Sequence, residues 1–355
     1  MINNVLKRIN AIFEATGTVP YTINNLTIDD VLSMKDYSVG VENLANSLTA
    51  SKDYGNNIAY LDINISEQPD NLLYRASSER EFNPFLFTPG KRVTQGDSNL
   101  VTRLVSDILP SWKLIPKRSN SVICTNDYLE AIYYRSYGFR RNGVIYVIIP
   151  PNDAHIAIAP KADFWYSFDY IEDTTGLTSI DLVNKSLLTF LGFFYYVIDK
   201  DIASDIISEW PNEFLRTKRN VQNDYSKYNE AVKSLFLNEN KTTILRVINA
   251  IDQALSNKKF RDRIKPIFNL VIDNGPLSKL GNYIIKEKSM NNNISIIDIL
   301  DDLFDPDKNN FETTLYSRFV DRVYQSCEVW TDKPCIFIDI NDIKFLTELY
   351  HRFRG

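Results

Sequence analysis

The chain has 355 residues, of which 44% are hydrophobic and 12% aromatic, and its formal net charge is −5 at pH 7. This composition supplies enough apolar side chains for a folded core and excludes a disordered chain. The acidic balance indicates no broad basic surface for nucleic acid, and the length predicts two or three packed units.

Three regions follow one another along the chain. Residues 1–67 are polar and predict helices, 68–175 mix strand and helix signals, and 176–355 are mainly helical. In the first region, TIDDVLSM and VENLANSL predict two short helices, and apolar residues at helical spacing predict another: Ile2, Val5, Ile9, Ile12 and Phe13. Lys7 and Arg8 interrupt this apolar face, so we expect no signal peptide.

The middle region alternates between strands and helices. Strands are predicted over 72–75, 119–125, 143–150, 154–160 and 163–168, and PND predicts a turn between the third and fourth. Helices are predicted over 98–108, ending before Pro110, and over 126–138, from a cap at Asn126 or Asp127 to Gly138.

The remaining sequence is predicted to be mainly helical. Helices are expected over 178–198, 241–257, 260–273, 293–304, 311–326 and 341–353, and CIFIDI (335–340) is a possible lone strand. The run LLTFLGFFYYVI is shorter than the roughly 20 residues of a membrane span, so we expect a buried core helix and no membrane association. The predicted fold class is α+β.

Several classes of site are excluded by residue usage. Cys124, Cys327 and Cys335 form no Cys-x-x-Cys pair, which excludes the usual zinc and disulfide patterns and is typical of a reducing, cytoplasmic setting. His155 and His351 are too few for a His-rich metal site, so no metal is expected. The sequence contains neither G-x-G-x-x-G nor G-x-x-x-x-G-K-[ST], which leaves kinase and P-loop interpretations little support.

Arg75 is a charged residue at an unexpected position. It closes the apolar strand Leu72–Tyr74 at a position where alternation predicts a buried side chain. An arginine there can bind a diphosphate or a ribose through two hydrogen bonds, which lysine does less well. The alternative is a structural ion pair with Glu79 or Asp163.

The order of motifs after Arg75 resembles the R-S-E class of ADP-ribosyltransferases, the cholera-toxin-like group. LYRAS is followed by RSNSVICT, a helix containing Ala131, the strand VIYVIIP and then a carboxylate. The resemblance covers about residues 70–175. It implies a small mixed β core of two packed sheets around a cleft for NAD, which would be the substrate, and transfer of ADP-ribose to a macromolecule, in particular a protein.

The resemblance also implies the NAD-binding residues. Arg75 would hold NAD, with Tyr74 beside it on the same strand. Ser119 and Ser121 would organise the site if residue type decides the correspondence, whereas Thr125 takes that place if the spacing to Ala131 decides it.

Glu172 would be the catalytic glutamate, and Trp112, with Phe164 and Trp165, would stack on nicotinamide or adenine unless these rings lie in the core. The family usually has Glu-x-Glu or Gln-x-Glu at this motif, and here Tyr170 stands two residues before Glu172. The alternative for Glu172 is an ordinary acid near a helix N-terminus.

Two other functions stay open. One is a non-catalytic virion-associated, scaffold or interaction protein with an ADP-ribosyltransferase-like module, and the other is a different NAD- or nucleotide-binding hydrolase. The Asn- and Ile-rich composition suits a phage protein or an injected effector or toxin, acting in the cytoplasm of the producing cell or of a host. The sequence leaves the oligomeric state open.

Overall fold

The computed structural model describes residues 23–50, 71–77, 83–90, 99–138, 143–199, 227–234, 236, 241–272 and 275–355. These residues belong to two compact units. The first draws on 1–94, 114–167 and 310–355, and the second on 95–113 and 168–309. Each unit therefore combines segments that are distant in sequence. The predicted division at residues 68 and 176 stays a prediction, and the helix predicted from Ile2 to Phe13 lies outside the described residues.

The strands of the described residues all lie in the first unit. They are β1 Ile23–Asn25, β2 Leu73–Ser77, β3 Phe85–Phe87, β4 Val122–Thr125, β5 Val144–Ile149, β6 His155–Ile158, β7 Glu312–Leu315, β8 Glu328–Thr331 and β9 Cys335–Asp339.

The helices are divided between the units. Those of the first are α1 Ile28–Ser33, α2 Ser38–Ala50, α4 Tyr128–Gly138, α11 Tyr316–Phe319 and α12 Ile343–Arg354. Those of the second are α3 Asn99–Arg103, α5 Asp169–Thr175, α6 Ile180–Asp199, α7 Lys241–Ser256, α8 Lys258–Ile272, α9 Pro276–Met290 and α10 Ile296–Leu303. A π-helical turn, Leu104–Ile108, continues α3.

In the described part of the chain, nine strands form one sheet in the order β1-β3-β9-β5-β2-β4-β8-β6-β7, and every neighbouring pair is antiparallel. The α+β class is confirmed, but the expectation of two packed, mixed sheets is wrong for these residues. The reason is that β8 and β9 come from near the end of the chain and insert between strands of the middle region. The possible lone strand is thus an internal strand, between β3 and β5.

Both faces of the sheet are covered, which explains the unbroken apolar sequence of β5. Its residues Ile145, Val147 and Ile149 pack in a core cluster with Leu44 of α2 and Leu346 of α12. The alternate residues of β5, including Tyr146 and Ile148, pack on the opposite face with Phe85, Tyr316 and Phe319. A strand buried on both faces needs apolar side chains at every position.

Two local predictions are wrong. Residues 311–326 were expected to form one helix, but they form β7, which pairs with β6, followed by the short α11. DFWYSF was expected to be a strand, but Phe164–Tyr166 form a 3-10 turn that begins where the Asp163 carboxylate accepts the Trp165 N–H at 2.8 Å. In both places a tertiary pairing or a side-chain cap overrides the local pattern.

The second unit is helical, and α6 supplies its core. Phe190, Phe193 and Phe194 of α6 surround Phe268 of α8, with ring centroids 5.3–6.3 Å from that of Phe268. LLTFLGFFYYVI is therefore a buried core helix, as predicted. Among the described residues, no single helix is long and apolar enough to cross a membrane, although the bent pair 164–175 and 180–199 meets the length and composition criteria together.

Candidate functional site

A row of three polar side chains crosses adjacent strands at the centre of the sheet. Thr125 of β4 pairs with Tyr74 of β2 on one side and with Glu328 of β8 on the other. Cross-strand partners point to the same face of a sheet. That face is covered by α4, since the Tyr74 ring lies 5.4 Å from the ring of Tyr128. Antiparallel pairing thus brings residues from three distant segments into one row.

Arg75 lies where the pairing between β2 and β4 stops. Tyr74↔Thr125 is the one registered pair between these strands in the described residues, whereas β2 pairs with β5 along its full length. Beyond that pair, the Arg75 Nη1 donates a hydrogen bond to the carbonyl oxygen of Ile123 at 2.8 Å. The guanidinium therefore contacts the backbone of β4 at an opening in the sheet. The alternative ion pair with Glu79 involves a residue outside the described part of the chain.

A pocket lies at this opening. It is narrow, with a volume of about 10 Å³ open to the centre of a water molecule, and its lining includes Tyr74, Arg75, Thr125, Tyr134 and Glu328. The structure thus brings together three of the residues predicted to bind NAD, Tyr74, Arg75 and Thr125. It adds a glutamate and a tyrosine that the sequence interpretation did not select.

Glu328 is held by a buried arginine. Its carboxylate accepts hydrogen bonds from Arg118 Nε at 2.7 Å and Arg118 Nη2 at 3.2 Å, and from the Phe164 N–H at 3.3 Å. The Arg118 guanidinium carbon lies 4.7 Å from the ring centroid of Phe164 and 5.5 Å from that of Trp165. The charged pair is therefore enclosed by aromatic side chains, and the rings of Phe164 and Trp165 pack against Arg118 in the core.

The electrostatics around the pocket favour a charged Arg118 and a neutral Tyr134. Burial alone would lower the pKa of Arg118, but the charge and hydrogen bonds of Glu328 outweigh it, so the pKa of Arg118 is raised. Burial, followed by the nearby charges of Asp163 and Glu328, raises the pKa of Tyr134 well above its usual value. Tyr134 therefore presents a protonated hydroxyl.

The serine segment forms a turn before β4. Arg118–Asn120 make a single 3-10 turn, and the hydroxyl of Ser121 donates to the Lys117 carbonyl oxygen at 2.8 Å across it. Ser119 is partly exposed on this turn. Neither serine is among the residues that line the pocket. Thr125, whose hydroxyl oxygen accepts the Asp127 N–H at 3.1 Å, does line it.

Trp112 and Glu172 lie in the second unit. The Trp112 indole donates to the Phe304 carbonyl oxygen at 2.7 Å, and its ring packs 6.4 Å from that of Phe168, as a core tryptophan does. Glu172 is exposed in the first turn of α5. An acid at that place is favoured by the helix dipole without any catalytic role.

Glu328 was missed because its segment follows a stretch predicted to be helical. The signal was nonetheless present, since SCEVWT places one acid among Cys327, Val329 and Trp330. All four residues of β8 are buried. A charged residue within a buried strand is rare unless it is paired, and it indicates either a structural ion pair or a site.

The three cysteines give a prediction for alkaline pH. Burial raises the pKa of Cys327 to about 12, and it also raises the pKa of Cys124 and of Cys335. Unfolded thiols ionise near pH 8.5 and the folded ones do not, so this stability is complete below about pH 8.5 and is lost as the pH rises toward 12. We expect the free energy of unfolding to fall above about pH 9, by up to about 1.4 kcal/mol per pH unit for each thiol.

Urea unfolding at about pH 7 and about pH 10 measures this loss. The Cys327→Ala variant should lose less stability between the two pH values than the parent chain. Equal losses in the two proteins would show that Cys327 does not contribute.

Comparison of the chain with models of protein families, with curated proteins and with solved structures found no match.

Proposed function

We propose that this chain is a mono-ADP-ribosyltransferase that cleaves the nicotinamide–ribose bond of NAD and transfers ADP-ribose to a protein. One observation carries the proposal: Arg75, Thr125 and Glu328, from three adjacent strands, line one pocket. Thr125 and Glu328 belong to the face covered by α4, whereas Arg75 has the opposite orientation, that of its partner Tyr146, and borders the pocket at the opening between β2 and β4. A cation, a hydroxyl and a carboxylate are the three kinds of group that the sequence resemblance requires. The ADP-ribosyltransferase-like core would then comprise about residues 70–175 together with β8.

Arg75 is assigned to the diphosphate or ribose of NAD. A guanidinium presents a planar fork of N–H donors that matches the oxygens of a diphosphate, and Nη1 of Arg75 also donates to the carbonyl oxygen of Ile123. The opening between β2 and β4 supports this role, because a side chain at the end of a paired segment can reach a ligand without displacing ladder hydrogen bonds.

Glu328 is assigned to the reacting ribose. Its carboxylate oxygens have about four acceptor positions, of which Arg118 and the Phe164 N–H use three. The remaining position suits a ribose hydroxyl, and the negative charge would stabilise an oxocarbenium-like transition state. Glu328 also lies downstream of the central strand VIYVIIP, as the resemblance requires, and it shares a pocket with Arg75.

Incubation of the pure protein with labelled NAD and a cell lysate tests the proposal. We expect nicotinamide release and label transfer by the parent chain, and a loss of at least about 100-fold in Glu328→Gln, the scale of removing one electrostatic stabiliser. Glu172→Gln is the matched control, with the same change of an acid to its amide, and should keep the parent activity.

Two results would contradict the assignment. A parent chain that releases no nicotinamide and transfers no label would overturn the activity. Loss of activity in Glu172→Gln, with Glu328→Gln unaffected, would return the catalytic role to Glu172. The tests use folded protein, verified by circular dichroism, because Glu328 is also part of a buried ion pair.

A non-catalytic interaction or scaffold protein is the second candidate. The observation that favours it is the enclosure of Glu328, whose side chain is 4% exposed and forms with Arg118 a charged pair of the kind that also occurs in structural cores. This candidate predicts that the protein binds no NAD. The setting proposed for either function is the cytoplasm of the producing cell or of a host, with virion association as part of the second.

A further inference from the structure

We propose that Arg118 is a positioning residue of this reaction, which fixes the orientation of the Glu328 carboxylate in the pocket. The inference rests on the proposed function and deepens it, because Arg118 belongs to a segment that the sequence resemblance assigns to serines. Arg118 does not line the pocket and would act through Glu328 alone.

The geometry between the two side chains is the first support. Arg118 presents Nε and Nη2 to the two different oxygens of Glu328, at 2.7 and 3.2 Å, which is the two-bond fork that arginine makes with carboxylates. Such a fork fixes the plane of the carboxylate as well as its place. A single hydrogen bond from another donor would leave the carboxylate free to rotate.

The enclosure of the guanidinium is the second support. Arg118 is 4% exposed, and the rings of Phe164 and Trp165 lie over its charge. The backbone N–H of Phe164 donates to the same carboxylate, so one short segment contacts both partners of the pair. The Arg118 side chain therefore has little room to move, and its two hydrogen bonds restrict the motion of the Glu328 carboxylate as well.

The turn that carries Arg118 is the third support. The Asn120 N–H and the Ser121 hydroxyl both donate to the carbonyl oxygen of Lys117, each at 2.8 Å, and they close the turn over Arg118–Asn120. Ser121 thereby acquires a role different from contact with NAD. It holds the turn that points Arg118 at Glu328.

Steady-state kinetics of nicotinamide release by two variants test the inference. Arg118→Lys keeps the positive charge but cannot form the fork. We expect its kcat, expressed per NAD-binding site counted by calorimetric titration, to fall at least about tenfold while KM for NAD stays within about twofold. Counting sites removes any change that comes only from a smaller folded fraction. Ser121→Ala should show the same pattern with a smaller fall in kcat.

Lys117→Gln is the control, since it changes an exposed neighbouring cation and leaves the backbone carbonyl in place. It should keep the parent kcat and KM. Parent values of kcat per site in both Arg118→Lys and Ser121→Ala would overturn the inference and leave the proposed function standing. A rise in KM with kcat unchanged would also overturn it, because it would assign Arg118 to substrate binding. Failure of the parent chain to turn over NAD would overturn the proposed function and this inference together.

Discussion

Replacing Arg118 with methionine is expected to lower the free energy of unfolding by about 3–5 kcal/mol, the usual cost of removing one partner of a buried ion pair. The side chains of Arg118 and Glu328 are only 3% and 4% exposed. Methionine would fill much of the space under the Phe164 and Trp165 rings, but it would leave the Glu328 charge without its partner. Urea unfolding followed by fluorescence of the tryptophans measures the change.

The double variant Arg118→Met/Glu328→Gln separates charge from packing. It removes both charges, so it should recover most of the lost stability, since neutral replacements of buried pairs are often close to neutral in stability. A single variant that loses less than about 1 kcal/mol would contradict the burial of the pair. So would a double variant no more stable than Arg118→Met.

Replacing Phe268 with alanine is expected to lower the free energy of unfolding by about 3–5 kcal/mol, the range for a buried phenylalanine. Phe268 has 0% exposure and contacts Phe190, Phe193 and Phe194 of α6. On α9, Gly281 leaves room for the same ring, because a Cβ added there would lie 2.5 Å from Phe268 Cζ. Because α6 and α9 pack closely around this ring, the neighbouring side chains can move little to fill the cavity that Phe268→Ala would leave.

Leu270→Ala is the matched control for Phe268→Ala, because Leu270 lies on the same helix and is 38% exposed. It should cost less than about 1 kcal/mol, because a partly exposed leucine leaves no enclosed cavity. Chemical unfolding followed by circular dichroism, which reports on the helices, compares the two variants. Similar losses in both would contradict the arrangement of α8 against α6.

The elements predicted correctly from the sequence are those with strong local signals. β5 is a run of β-branched residues, α4 begins after Asp127, whose carboxylate caps it, and α6 is a long apolar helix. The elements that were missed depend on distant partners. β7 and β8 are each four residues long, and they are strands because they pair with β6 and β4, which belong to the middle region of the sequence. Local sequence patterns cannot predict pairing between strands that are distant in sequence.

The residues of the candidate site were also predictable only where a local sequence signal marks them. Tyr74, Arg75 and Thr125 could be selected because they lie on or beside recognisable strands, and Thr125 was the alternative that kept the spacing to Ala131. Glu328 could not be placed beside them, because only the register between β4 and β8 sets Thr125 against it. The roles assigned to Glu172, Ser119, Ser121 and Trp112 stay predictions. Glu172 is exposed on a helix, the two serines belong to a turn, and Trp112 packs in a core.

Calorimetric titration of NAD into the parent chain and into Arg75→Met tests most directly the claim that Arg75 anchors a dinucleotide. The account predicts binding by the parent and at least tenfold weaker binding by Arg75→Met, which is about 1.4 kcal/mol. Arg322→Met, which changes an arginine that is 59% exposed, should bind like the parent. No binding by the folded parent chain, or equal binding by the parent and Arg75→Met, would contradict the claim.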